Sequence, residues 1–176
     1  LVQYLSEPSV MRIEAEALLS GIMLDTKNFV LKTGTKTFEA AAFLKKKGAD
    51  SISAKKMFSN SIGVYKERYE LISGAEIFSK FAISCTKKSS PSLRIAAAQA
   101  ADELLEVEGV EASFVIYQEN DFVNVSARSF GNVNVQLIME NIGGGGHQSM
   151  AGAQIEGKTV EQVKSIVMDI LKDLTK

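Results

Sequence analysis

Hydrophobic positions change their spacing part-way along the chain. In the first third Ala15, Leu18, Leu19, Ile22 and Met23 recur at three and four residues, with Arg12, Glu14 and Glu16 off the stripe. That is the period of an amphipathic helix. It predicts a helix from near Ser9, preceded by the end of another over Leu1 to Leu5 that Glu7-Pro8-Ser9 breaks, because proline disfavours helix in the residue before it. Thr37 is the expected cap of a third helix, with Glu39 in its first turn, Lys45-Lys46-Lys47 in its last turn and Gly48 beyond its end. Asp50-Ser51 starts a fourth, with Ile52, Met57 and Phe58 as its apolar positions, and Asn60 to Ile72 reads as mixed helix or extended chain before Ser73-Gly74.

Beyond that point strand-like runs alternate with helical ones. Ile77 to Thr86 reads as a strand, Pro91 sits where a first-turn proline belongs, and Leu93 to Leu105 is an alanine-rich helix closed by Glu108-Gly109. Ala112 to Tyr117 and Phe122 to Ser126 are β-rich, joined as a hairpin by Gln118-Glu119-Asn120-Asp121. Val133 to Met139 reads as a short helix, Ala151 to Ile155 as a returning strand, and Val160 to Leu174 as an amphipathic closing helix. The expected class is α/β: a helical piece, a boundary near residues 60–78, then strands and helices alternating around one sheet.

With 176 residues, 45% hydrophobic and 23% charged, the chain can form one domain or two small ones. A formal charge of −1 argues against a surface built for long nucleic acids, which calls for a basic footprint. A short or cyclic nucleotide stays allowed. The lysine run at 45–47 complements the carboxyl end of a helix dipole and so has a structural explanation. Cys85 is the single cysteine, which rules out an internal disulfide and fits a reducing, cytoplasmic setting. With Ala82 and Ile83 beside it, Cys85 reads as a buried strand thiol rather than a nucleophile. No apolar run is long enough to cross a membrane as a helix. The first residue is Leu1, and we read the chain as a segment of a longer protein.

The most unusual stretch is Asn141-Ile142-Gly143-Gly144-Gly145-Gly146-His147-Gln148-Ser149-Met150-Ala151-Gly152. Four glycines in a row are costly to order, so within a fold they imply a backbone path or a close approach that a Cβ would block. A flexible linker is the plain alternative, but the apolar flanks favour a concave nest of N–H groups for an anion such as phosphate. No Walker or dinucleotide-binding pattern is present. His147, the one histidine, follows with little upstream bulk to bury it and reads as a hydrogen-bond donor to phosphate rather than a structural residue. Arg128 lies just past the expected strand end at Ser126. It is either an ordinary surface arginine or a fork for phosphate oxygens. Asp25, three residues after Ile22, falls on the inward side of its helix if the helix persists. There it would need a cation, such as a metal; the stretch by itself, Asp25-Thr26-Lys27-Asn28, also reads as a solvated turn.

Two stretches carry a family resemblance. Gly143 to Ala153 resembles the GGGH motif of the DHH-associated C-terminal domain, and Ala17-Leu18-Leu19-Ser20-Gly21-Ile22-Met23-Leu24-Asp25-Thr26-Lys27-Asn28-Phe29 resembles the last metal-ligand motif of the DHH phosphoesterase domain. Thr37 to Ala41 and Gly48 to Asp50 continue the likeness, which is nearest to the membrane-anchored cyclic-di-AMP phosphodiesterases of the GdpP type. The resemblance implies that residues 1–72 are the C-terminal part of a DHH domain and 73–176 the substrate-binding domain. It implies hydrolysis of cyclic-di-AMP to a linear dinucleotide by water activated on two manganese ions. Asp25 would be one metal ligand, and Arg128, Gly144, Gly145, Gly146 and His147 would hold phosphate. The Asp-His-His motif is not in the sequence, and a single carboxylate cannot build a two-metal centre, so this chain alone is expected to hydrolyse little or nothing. Within the same superfamily, a short-oligonucleotide nuclease, an adenosine bisphosphate phosphatase and a non-catalytic nucleotide- or RNA-binding module are the alternatives. The resemblance places this segment on the cytoplasmic side, without membrane contact of its own, and leaves room for a homodimer.

Overall fold

The computed structural model describes residues 10–31 and 33–175. The expected helix end over Leu1 to Leu5 and its break at Glu7-Pro8-Ser9 lie outside the described residues. The chain divides into two compact units, one ending at Ser59 and the other starting at Asn60.

The first unit holds α1 (Arg12–Asp25), α2 (Thr35–Lys46) and α3 (Ser51–Lys56) around Ala15, Leu19, Leu44, Ala49 and Ala54. Its starts differ from expectation for local reasons. Helix α1 begins at Arg12 rather than near Ser9, and α2 begins at Thr35 after an extended Gly34, so Thr37 sits inside the first turn and accepts from the Gly34 N–H at 3.4 Å. Asp50 does cap α3, accepting from the Ser53 N–H at 2.8 Å. Glu16 was expected off the apolar stripe, yet it is buried. Arg12 Nε donates to Glu16 Oε1 at 2.9 Å and the Asp50 N–H donates to the same oxygen at 3.3 Å, which satisfies a carboxylate that burial alone would penalise.

The second unit opens with α4 (Ile62–Ser73), a full helix where mixed structure was expected, started by Ser61 Oγ accepting from the Val64 N–H. Its Val64 and Leu71 pack among the residues of α5 (Leu93–Leu104), so this helix belongs with the sheet although a boundary at 72/73 would separate them. The single strand expected over Ile77 to Thr86 is two, β1 (Glu76–Phe78) and β2 (Phe81–Thr86), because the chain reverses at Ser79, whose φ is 54°. Pro91 precedes the cap residue Ser92 rather than standing in the first turn of α5. Strands β3 (Ala112–Glu119) and β4 (Phe122–Ser129) run longer than expected and meet in a tight turn at Asn120-Asp121, with Asn120 at φ 53°. Then follow α6 (Val135–Glu140), β5 (Gly145–His147), β6 (Met150–Glu156) and α7 (Val160–Asp173).

The sheet has the order β1-β2-β3-β4-β6-β5. Strands β2 and β3 are parallel, linked through α5, and the other neighbours are antiparallel. Residues such as Phe81, Phe114, Val123, Val125 and Ala151 bury one face under α6 and α7. On the other face Ala82, Val115 and Tyr117 pack beneath α4 and α5. Four alanines of α5, Ala96, Ala97, Ala100 and Ala101, are fully buried, and their small side chains let that helix lie close to the sheet.

Candidate functional site

Strand β4 alternates strictly: Val123, Val125 and Ala127 enter the core, while Asn124, Ser126 and Arg128 point to the opposite face, as a period of two requires. The register extends this face sideways. Arg128 is paired with Met150 of β6, and Met150 with His147 of β5, so the three side chains form one row across three strands. The next row is Ser126, Gly152 and Gly145, and beyond it Asn124 is paired with Gln154. Met150, His147 and Gln154 are exposed. Here the sheet runs on past the residues that α4 and α5 bury and presents a polar, solvent-reached surface.

Arg128 lies inside β4 rather than past its end, since the strand continues to Ser129. Its side chain is 12% exposed and fixed: Nε donates to Asp102 Oδ1 of α5 at 3.1 Å and Nη1 donates to the Ala127 carbonyl at 2.9 Å. Those bonds use two of the five N–H donors of a guanidinium. A neighbouring carboxylate both aims the cation and offsets its charge, a feature the sequence did not announce. The signal available for Asn124 and Ser126 was the polar alternation from Phe122 to Arg128; for Asp102 there was none.

The glycine run builds a strand, not the expected free nest. The Gly143 N–H donates to the Glu140 carbonyl at 3.1 Å and the Gly144 N–H to the Met139 carbonyl at 2.8 Å, so these donors are spent on the end of α6. Close packing explains two glycines directly. A Cβ on Gly144 would lie 2.3 Å from the Gly152 carbonyl oxygen, and one on Gly146 would lie 2.5 Å from the Met150 carbonyl oxygen, with φ at +149°. Gly145 differs, for a Cβ there would meet nothing within 4 Å. His147 ends β5, and the turn after it is tied down: the Ser129 N–H donates to the Ser149 carbonyl, the Val135 N–H to the Gln148 carbonyl, and Gln148 Nε2 to the Gly131 carbonyl.

Asp25 belongs to the first unit and ends α1, exposed rather than inward, with no basic residue in the last helical turn. The following turn, read correctly as a turn, is wound in the unusual hand: Lys27, Asn28 and Phe29 have φ of 48°, 56° and 68°. Three such residues in succession cost roughly 1–2 kcal/mol each. Buried Thr26 holds the turn, donating its hydroxyl to the Ile22 carbonyl at 2.7 Å and accepting from the Phe29 N–H at 2.9 Å. Phe29 in turn stacks on Phe38, with ring centres 5.5 Å apart. Among the described residues no group of three or more His, Cys, Asp or Glu could hold a metal ion. Asp25 offers one carboxylate, so the described residues do not make a metal centre by themselves.

A cleft of about 370 Å³ lies elsewhere in the second unit, lined by Glu67, Glu70, Cys85, Lys88 and Ser90 among others. It suits an anion poorly. Glu67 already accepts from Ser90 Oγ and Ser92 Oγ, and Glu70 holds Lys88. Burial pushes the Cys85 thiol up to about 11, so it is protonated near neutrality and is no nucleophile there.

Residues 93–175, which span the sheet from β3 onward together with α5 and α7, match the family described as the DHHA1 domain. The chain carries a DHHA1 domain. It is 45% identical over 155 residues to the cyclic-di-AMP phosphodiesterase PdeA of Listeria monocytogenes, a match covering 87% of this chain and 24% of that protein. It is 43% identical over 163 residues to the cyclic-di-AMP phosphodiesterase GdpP of Geobacillus thermodenitrificans, covering 92% of this chain and 25% of the relative. These likenesses put the chain in the DHH family, as the two motifs led us to expect. The chain spans about a quarter of the length of these relatives. Among solved structures, an exopolyphosphatase-related protein from Bacteroides fragilis superposes with a TM-score of 0.81 at 17% identity, over 97% of this chain and 54% of the other, a likeness of fold.

Proposed function

We propose that this chain is the nucleotide-holding C-terminal part of a metal-dependent phosphodiesterase that opens cyclic-di-AMP to a linear dinucleotide. The observation that carries the reading is the row Arg128–Met150–His147, which sets a guanidinium and an imidazole on the same open face of the DHHA1 sheet. A guanidinium aimed by a carboxylate is suited to two phosphate oxygens, and His147 adds a ring N–H donor. β5 is the outermost strand next to them, and an edge strand leaves alternate N–H groups without a ladder partner. Glycine at 145, where a Cβ would stand in open space, keeps the ground beside them free of side chains. These residues bind and orient the phosphodiester. Asp25 contributes one ligand to a manganese pair whose other ligands come from outside this chain; those ions would supply the activated water. The names of the similar proteins, PdeA and GdpP, support cyclic-di-AMP as the substrate.

The test compares this chain with a protein extended upstream to include an Asp-His-His motif. The 176-residue chain should bind cyclic-di-AMP in calorimetry but leave it intact with manganese, and the extended protein should hydrolyse it. Asp25→Ala in the extended protein should abolish turnover while its circular dichroism is unchanged. Arg128→Ala should chiefly raise KM. A folded, manganese-loaded extended protein that leaves cyclic-di-AMP untouched overturns the reading.

A further inference from the structure

One buried donor on this face has no use inside the fold. Asn124 is 9% exposed, and its Nδ2 finds no hydrogen-bond partner among the described residues. Leaving such a group unmet costs on the order of 1–3 kcal/mol, and orphaned groups of this kind call for an explanation. Its other end is engaged: Gln154 Nε2, from the neighbouring strand, donates to Asn124 Oδ1 at 3.2 Å. That bond turns the Asn124 oxygen toward Gln154. It leaves one amide nitrogen to give and, on the exposed Gln154, one amide oxygen to accept.

The position of this pair is informative. Asn124 and Arg128 lie on the same face of β4, four residues apart, or about 13 Å along a strand. Between them runs the row Ser126, Gly152 and Gly145, which carries no large side chain. The face therefore has a cation and imidazole at one end, a nearly bare floor in the middle, and two carboxamides at the other, Gln154 exposed and Asn124 buried behind it in the neighbouring strand. A nucleotide has the same order of parts: phosphate, sugar, base edge.

Resting on the reading that Arg128 and His147 hold phosphate, we propose that Asn124 and Gln154 read the base, selecting an edge with an amino donor beside a ring-nitrogen acceptor. Adenine has that edge: its amino group donates to Gln154 Oε1 and a ring nitrogen accepts from Asn124 Nδ2, after the exposed Gln154 side chain shifts to admit it. Guanine presents a carbonyl oxygen in place of the amine and would set acceptor against acceptor. The pair thus makes the face selective for adenine nucleotides, independently of the metal chemistry.

Calorimetry of the whole chain with 5′-phosphorylated diadenylate and diguanylate tests this directly. Diadenylate should bind about tenfold tighter, the discrimination expected of a good paired base contact. Asn124→Leu should erase that preference while diguanylate binding stays as it was. Because the leucine removes an unmet donor, its denaturation midpoint should hold or rise; a purely structural asparagine would make it fall. Gln154→Ala should reduce the preference without unfolding. Equal binding of the two dinucleotides by the unaltered chain overturns the base-reading role, as does an Asn124→Leu protein that keeps the preference. Arg128→Met separates the two levels: loss of both ligands leaves the phosphate reading standing whatever happens at Asn124. Failure of the unaltered chain to bind either ligand overturns both.

Discussion

At the scale of single residues, the glycines divide into those that packing demands and one that it does not. Gly144→Ala and Gly146→Ala place a Cβ against strand backbone at 2.3 and 2.5 Å, and each should cost roughly 2 kcal/mol or more, as overpacking does, read as a lower urea midpoint. Gly145→Ala has open space and should keep the midpoint while weakening nucleotide binding in calorimetry. The sequence showed that this run needed bare backbone; it could not show that the neighbour was strand β6. The single cysteine was legible in part: Cys85 sits in a strand, β2, as expected, but it is half-buried at the wall of a cleft rather than fully buried, with its thiol pushed up by desolvation to about 11. Its alkylation should be slow near pH 8 and accelerate only toward pH 11. The raised value also gives the sign of its stability term, which is full below the thiol's ordinary range and is lost as pH climbs through about 11. Arg128 was legible as a fork but not as a tethered one, because Asp102 lies 26 residues earlier and meets it only through the docking of α5 on the sheet.

At the scale of elements, long periodic segments were readable and their ends were not. Helices α5 and α7 follow the hydrophobic spacing to within a residue, and the β3–β4 hairpin was found in place, though its strands extend to Glu119 and Ser129 beyond the ends expected at Tyr117 and Ser126. The strand expected over Ile77 to Thr86 failed because a non-glycine residue, Ser79, takes the positive φ that reverses the chain, and nothing in its identity announces that. Helix α4 was obscured for another reason: its Ile62, Tyr65 and Tyr69 are exposed, which blurs the inward stripe of Val64 and Leu71. In the first unit, the tie between α1 and the start of α3 runs through Glu16, whose acidity is strengthened first by the hydrogen bond from Arg12. A lowered carboxylate value means stability present above its ordinary range and lost as pH falls through the lower, folded value. Asp50 is shifted the same way, chiefly by the Ser53 backbone. Helical circular dichroism should therefore fall in acid, below pH ~4, and Glu16→Gln should flatten that response.

At the scale of the whole molecule, the near-neutral charge of −1 sets the kind of partner the surface can hold. Binding to a long polyanion draws on many released counterions and so on many lysines and arginines arrayed together. The chain should not retard duplex DNA in a gel shift at ~150 mM salt, even where it binds a dinucleotide. No helix among the described residues is long and apolar enough to cross a membrane. The two ends of the sheet have a consequence for self-association. Both outermost strands, β1 and β5, are three residues long. A naked sheet border is the usual foothold for accretion of further copies, and so short a border gives an incoming strand too few rungs to hold its register. Any pairing of this protein with itself should therefore proceed through helix surfaces, leaving the glycine border clear for small ligands.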